Sequence, residues 1–215
     1  MSQLLVSISG MCAVGKTSFI ENYALNGNAF IVVKEPFENN HFFKLDKPPF
    51  AMANQIEFLI RFVDSVKANK NKYAVLRDRV YEEVMLFTDF MYSMGDLTFF
   101  EHDYIKKCYF ALKPQVKAPD VVFFLKLSTL EVLDRLHKRN RPEESKLDIG
   151  FISKLNDFYT KHFKDYFTSD TIINEICWSD SQSKQVRNKM LIDKIDQLHC
   201  DSITKLYRHN VQSYL

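Results

Sequence analysis

Eight consecutive residues, Gly10-Met11-Cys12-Ala13-Val14-Gly15-Lys16-Thr17, satisfy the spacing G-x-x-x-x-G-K-[ST] at every constrained position. The spacing makes a cradle for phosphate. Glycines let backbone amides turn inward onto phosphate oxygens, and a helix that starts at the end of the loop adds positive potential. Lys16 reaches the β- and γ-phosphates, the Thr17 hydroxyl is offered to Mg²⁺, and Ser18 follows within the same first helical turn. The cradle implies a nucleoside triphosphate but does not say where its phosphate goes, because GTPases, motor ATPases and small-molecule kinases share it.

Three further stretches carry residues suited to an acceptor. "VVKEP" places Glu35 at the tip of a strand expected beside the loop strand, at the carboxyl edge where α/β sheets bind ligands. There a carboxylate can take the proton of an attacking hydroxyl; taken alone, a solvated loop glutamate before a proline is the better reading. "LRDR" brings Asp78 and Arg79 to the same edge, an acid–base pair able to hold Mg²⁺ and steer an oxygen, or else a surface ion pair. "RLHKRNRPEES" carries Arg135, Lys138, Arg139 and Arg141, followed by Glu143 and Glu144. Arginines on a movable segment suit phosphoryl transfer, where charge spreads over the oxygens of the transferred group.

These residues need elements to position them. Gln3 to Ser9 is a short apolar, β-branched run, and Lys16 to Leu25 reads as a helix ending at the turn signal "NGN". Strands are expected over Ala29 to Lys34, in "KYAVLRDRV", in "APDVVFFLKLS" and in "DTIIN". Helices are expected over Ala51 to about Asn69, Tyr81 to Tyr92, Phe100 to Leu112, Thr129 to Lys138, Leu147 to Tyr166 and from about Gln182 onward. Strands alternating with helices predict an α/β fold with a parallel sheet covered on both faces, as a single domain over residues 1–215.

Composition narrows the field. The 215 residues are 46% hydrophobic and 26% charged, an ordinary globular balance. A net charge of +2 argues against a nucleic-acid surface, and no apolar run is long enough to span a membrane. "MSQLLVSIS" has no basic lead and is expected to be no signal peptide. Cys12, Cys108, Cys177 and Cys200 form no CxxC pair and read as reduced thiols of a cytoplasmic protein, and the histidines form no zinc-binding group. No guanine-selecting N-K-x-D occurs, and "VVFFLKLS" ends without the acidic residue an ATPase would show.

In their order along the chain, these stretches resemble the deoxyribonucleoside kinase family from Gln3 to about Asn174. The resemblance implies a P-loop kinase fold, with about five parallel strands, helices on both faces and an arginine-rich lid near residues 138–146. It implies transfer of the γ-phosphate of ATP, with Mg²⁺, to the 5′-hydroxyl of a deoxynucleoside, in nucleotide salvage. By the same resemblance Glu35 is the general base, Asp78-Arg79 the pair near the 5′-oxygen and Mg²⁺, and Arg139 and Arg141 the lid arginines on the phosphates. Arg135 lies against the adenine, Gln55 pairs with the edge of the nucleoside base, and Glu144 binds the 3′-hydroxyl. Such proteins are usually homodimers, with the Tyr81 to Leu112 helices as the candidate surface.

Departures bear on selectivity. Val80 stands where the family has serine, Asn54 where an aromatic stacks, and Phe58 adds bulk one turn after Gln55. Phe42 and Phe43 are nearest to a missing tyrosine, and either Glu82 or Glu83 is the acid that helps read the base. Trp178 either stacks on adenine or packs in the core, and Cys12 either reacts within the cradle or merely fits. Two other readings compete: a thymidylate kinase-type monophosphate kinase, and a scaffold that binds nucleotide without turnover.

Overall fold

A computed structural model describes residues 3–25, 30–35, 40, 50–139 and 149–212, with side chains as far as residue 202. Its described strands are β1 (Leu4–Ser9), β2 (Ile31–Val33), β3 (Ala74–Asp78), β4 (Val121–Lys126) and β5 (Ile172–Cys177). They form one parallel sheet in the order β2-β3-β1-β4-β5. The helices are α1 (Lys16–Leu25), α2 (Ala51–Asn69), α3 (Glu82–Ser93), α4 (Phe99–Leu112), α5 (Thr129–Arg139), α6 (Ile149–His162) and α7 (Lys184–Gln212).

Consecutive residues of β1, β3 and β4 are buried, so both faces of the inner sheet are covered; this explains why these strands read as unbroken apolar runs. The main core joins Val6 and Ile8 of β1 to Phe19 and Ile20 of α1, Phe124 of β4, Leu155 of α6, and Leu191 and Ile195 of α7. A second cluster lies among α2, α3 and α4, with Phe58, Leu59, Phe62, Tyr81, Met85 and Tyr109. Asp89 on α3 ties the helical layer together, accepting from the Tyr166 hydroxyl and facing His102 Nε2 on α4, both at 2.5 Å.

The expected place of the second strand is corrected. β2 pairs with β3 and not with the loop strand β1. Burial gives the reason: every residue of β3 is buried and needs a neighbour on each side, whereas Ile31 of β2 is 45% exposed and suits an edge. The fifth strand starts and ends later than "DTIIN", at Ile172–Cys177. At this open edge Glu175 is bound by Lys126 at 3.1 Å and Lys164 at 2.8 Å, which puts charge where another strand would otherwise add. The helix expected to run to Tyr166 stops at His162 and tightens into a 3₁₀ turn, Phe163–Tyr166.

Candidate active site at the carboxyl edge of the sheet

The loop between β1 and α1 takes the conformation its glycines permit. Gly10 has φ +137° and Gly15 φ +104°, and Ala13 is also left-handed at +56°. At Gly10 the space is closed as well: a Cβ there would lie 2.4 Å from the Leu125 carbonyl oxygen on β4. Lys16 is buried and its Nζ donates to the carbonyls of Gly10 (2.6 Å) and Met11 (2.8 Å), so the ammonium sits over the loop. Burial lowers its pKa, and the Arg79 guanidinium adds to this, against the pull of Glu83, Asp78 and Glu35.

The register sets the next contacts. Asp78 lies opposite Ile8 in the β1–β3 pairing, two residues before Gly10. The Thr17 hydroxyl donates to Asp78 Oδ2 at 2.8 Å, while Asp78 Oδ1 is buried with no hydrogen-bond partner. Burial raises the Asp78 carboxyl to about 6, against the pull of Lys16. Arg79 turns off the strand end with φ +68°, its N–H still bonded to the Ile8 carbonyl at 2.9 Å. The turn brings its Nε to 2.7 Å from Glu35 Oε1 and its Nη1 to 3.8 Å from Glu83 Oε1. Burial opposes the Arg79 charge, but Glu35 and then Glu83 outweigh it and hold the guanidinium's pKa well above its ordinary value. Lys16, Glu35, Asp78, Arg79 and Glu83, with the Thr17 hydroxyl, thus form one contiguous polar and charged group.

Glu82 and Glu83, indistinguishable in sequence, part at the start of α3. Glu83 also accepts from the Val80 N–H at 3.2 Å and belongs to the Arg79 group. Glu82 points into the helical layer, 4.0 Å from Lys113, where burial raises its pKa. Gln55 is buried on α2, its Nε2 3.7 Å from Met91 Sδ on α3. Asn54 accepts from Asn40 Nδ2 at 2.8 Å, and Phe58 packs in the helical cluster. Phe42, Phe43, Arg141, Glu143, Glu144 and most of the lid stretch lie outside the described residues.

On the other side of the loop, Arg135 of α5 is engaged with backbone. Its Nη1 donates to the Val14 carbonyl at 2.6 Å and its Nη2 to that of Trp178 at 3.1 Å. Trp178 is a core residue, edge-on to Phe19, with Nε1 3.3 Å from where a Gly15 Cβ would stand. Arg139 lies in the last turn of α5, at the start of the lid stretch. Cys12, within the loop, is partly buried and is in no disulfide.

Sequence reasoning missed two contributors. Tyr159 on α6 is buried against the same charged group, and burial, reinforced by Glu83, raises its hydroxyl. Asp180, after Trp178, accepts from Arg135 Nη2 at 2.7 Å. Neither belongs to a local pattern; a buried tyrosine in an amphipathic helix looks like core. The oxygens around Asp78 fit a hard cation: one free buried carboxylate oxygen beside a hydroxyl. Among the described residues no group of three His, Cys, Asp or Glu side chains gathers as a self-sufficient metal cage.

Comparison with known proteins gives the geometry a context. The family described as deoxynucleoside kinase matches residues 6–200. Among solved structures, deoxyadenosine kinase from M. mycoides with bound dATP superposes with a TM-score of 0.76 at 21% identity, over 88% of this chain and 98% of that one. The same enzyme with products dCMP and a flexible dCDP gives 0.78 at 20% identity, and with bound dCTP 0.74 at 20%; each match covers 89% of this chain and 98% of that one. Comparison with curated protein sequences gives no significant match.

Proposed function

Because the chain belongs to the deoxynucleoside kinase family and is a phosphotransferase acting on a nucleoside hydroxyl, we propose that it moves the γ-phosphate of ATP to a deoxynucleoside 5′-hydroxyl. The observation that carries this reading is the Glu35–Arg79 contact of 2.7 Å, beside an Asp78 bonded to the phosphate loop through Thr17. It puts a carboxylate, a fixed cation and the cradle at one edge of the sheet.

In this reading the backbone from Gly10 through Gly15, with Lys16, Thr17 and Ser18, receives the ATP phosphates. Thr17 and Asp78 would hold Mg²⁺, which when bound neutralises phosphate charge. Lys16 leaves the carbonyls of Gly10 and Met11 for phosphate oxygens. Arg79 engages Glu35 Oε1, leaving Oε2 to take the proton of the 5′-hydroxyl. Gln55 presents an amide donor and acceptor to the base, with Glu83 nearby and Phe43 at the sugar. Arg139 and Arg141 close on the phosphates, Arg135 borders the donor site, and Glu144 takes the 3′-hydroxyl. The chain acts as a single domain over residues 1–215, as a cytoplasmic homodimer in nucleotide salvage. Since the M. mycoides enzyme was found with dATP, dCTP and dCMP, deoxyadenosine and deoxycytidine are the acceptors to try first.

The test follows ADP formation with ATP and Mg²⁺ against the four deoxynucleosides, uridine and thymidine monophosphate. Turnover with one or more deoxynucleosides is expected; turnover with the monophosphate alone would overturn the reading. Glu35→Gln is expected to lower kcat about 10²–10⁴-fold, as loss of a positioned base does, with ATP affinity nearly unchanged. More than half the activity remaining would remove Glu35 from the role of base.

A further inference from the structure

We propose that Asp180 is a positioning residue for the donor phosphates, acting through Arg135 to fix the peptide plane that aims the Gly15 N–H into the cradle. The inference rests on the kinase reading above. A trans peptide is planar, with its C=O and N–H pointing to opposite sides, and the described residues contain no cis bond. Arg135 Nη1 holds the Val14 carbonyl at 2.6 Å. The Gly15 N–H is therefore turned away from Arg135, toward the interior of the loop. It donates to no backbone carbonyl among the described residues, so it remains available for a phosphate oxygen.

Arg135 can do this only while its own plane is fixed. Its Nε and Nη2 donate to the two carboxylate oxygens of Asp180, at 3.1 and 2.7 Å, the paired geometry a guanidinium makes with a carboxylate. Asp180 is held in turn from two helices. Glu131 of α5 accepts from the Ser179 hydroxyl at 2.6 Å and from the Asp180 N–H at 3.0 Å. Arg187 of α7 lies 2.8 Å from Asp180 Oδ1 and donates to the Ser179 and Gln182 carbonyls. The result is a strut running from α7 and α5, through the turn after β5, onto the outside of the phosphate loop. The Asp180 side chain is 51% exposed, and exposed ion pairs add little to folding. Its work is therefore expected to appear in donor binding and not in stability.

The experiment compares Asp180→Ala, Asp180→Asn, Arg135→Ala and the double variant Arg135→Ala/Asp180→Ala with the unmodified chain. Calorimetry gives the Kd for ADP, steady-state kinetics the KM for ATP and for a deoxynucleoside, and Tm reports folding. Asp180→Ala is expected to raise the ADP Kd and ATP KM about tenfold, the effect of losing one charge-assisted contact, with the deoxynucleoside KM within about twofold. Asp180→Asn, which keeps shape and one acceptor, is expected to fall between, and covers the case of an alanine variant that fails to fold. The double variant is expected to bind ADP no more weakly than Arg135→Ala. Unchanged ADP binding in Asp180→Asn, equal loss for both substrates, or multiplied losses in the double variant would overturn the proposal. If the unmodified chain binds ADP but phosphorylates no deoxynucleoside, the kinase reading fails and the ADP comparison still decides this one.

Discussion

Asp78 carries a conflict between stability and function. Burial holds its carboxyl at about 6 against an ordinary value of 3.8, and one of its oxygens has no partner. A carboxyl raised in the folded state binds its proton more tightly there. Its folding contribution is thus most favourable below the unfolded value and is lost as pH rises through about 6. A shift of this size corresponds to about 3 kcal/mol. Asp78→Asn removes the ionisable group and keeps an acceptor for Thr17. In metal-free, nucleotide-free protein its Tm is expected to exceed that of the unmodified chain at about pH 8 and to converge with it near pH 4, while Mg²⁺-dependent turnover falls. A lower Tm at the higher pH would show that attraction from Lys16 outweighs the burial. At this scale the sequence named the pair Asp78-Arg79 but not Arg79's second partner. That depends on whether Glu82 or Glu83 faces the sheet edge, a matter of rotation about α3.

Among the elements, the phosphate loop is held by neighbours distant in sequence. β4 approaches β1 so closely at Gly10 that no side chain fits before the Leu125 carbonyl, and the left-handed φ excludes other residues independently. Gly10→Ala is expected to cost about 1–3 kcal/mol from backbone strain alone, and more from the contact. A lowered urea midpoint with weakened ADP binding would check this; a midpoint equal to that of the unmodified chain would show that neither the backbone strain nor the contact with β4 carries a cost. The elements themselves were legible because apolar periodicity and turn residues are local. Their ends were less so: β5 continues through Glu175 to Cys177 because its backbone pairs with β4 as far as Lys126, and no local pattern announces a partner on another element.

For the molecule as a whole, the outward side of α4 stands out. Phe99, Phe100, Tyr104 and Phe110 are exposed there, Phe100 to 81%, a patch of the kind that marks an association surface. The Asp103–Lys107 pair on the same helix, 2.6 Å apart, gives the patch charges of both signs that a two-fold copy can meet in reverse. The homodimer proposed above predicts that Phe100→Glu combined with Tyr104→Glu yields monomers by light scattering, with little change in Tm. A dimer that survives the double substitution would place the interface elsewhere. Among the described residues no helix is long and apolar enough to cross a membrane.

The sequence by itself determined the phosphate loop, the alternation of strands and helices and the acidic and basic residues at the strand ends. Each is written in spacing along the chain, and local spacing sets local geometry. Only the tertiary structure decided that β3 separates β2 from β1, that Arg79 joins Glu35 to Glu83, and that Asp180 and Arg135 brace the loop from outside. These contacts join residues brought together by burial of the core, and the free energy that aligns them belongs to the packing of whole elements, which no short stretch of sequence encodes.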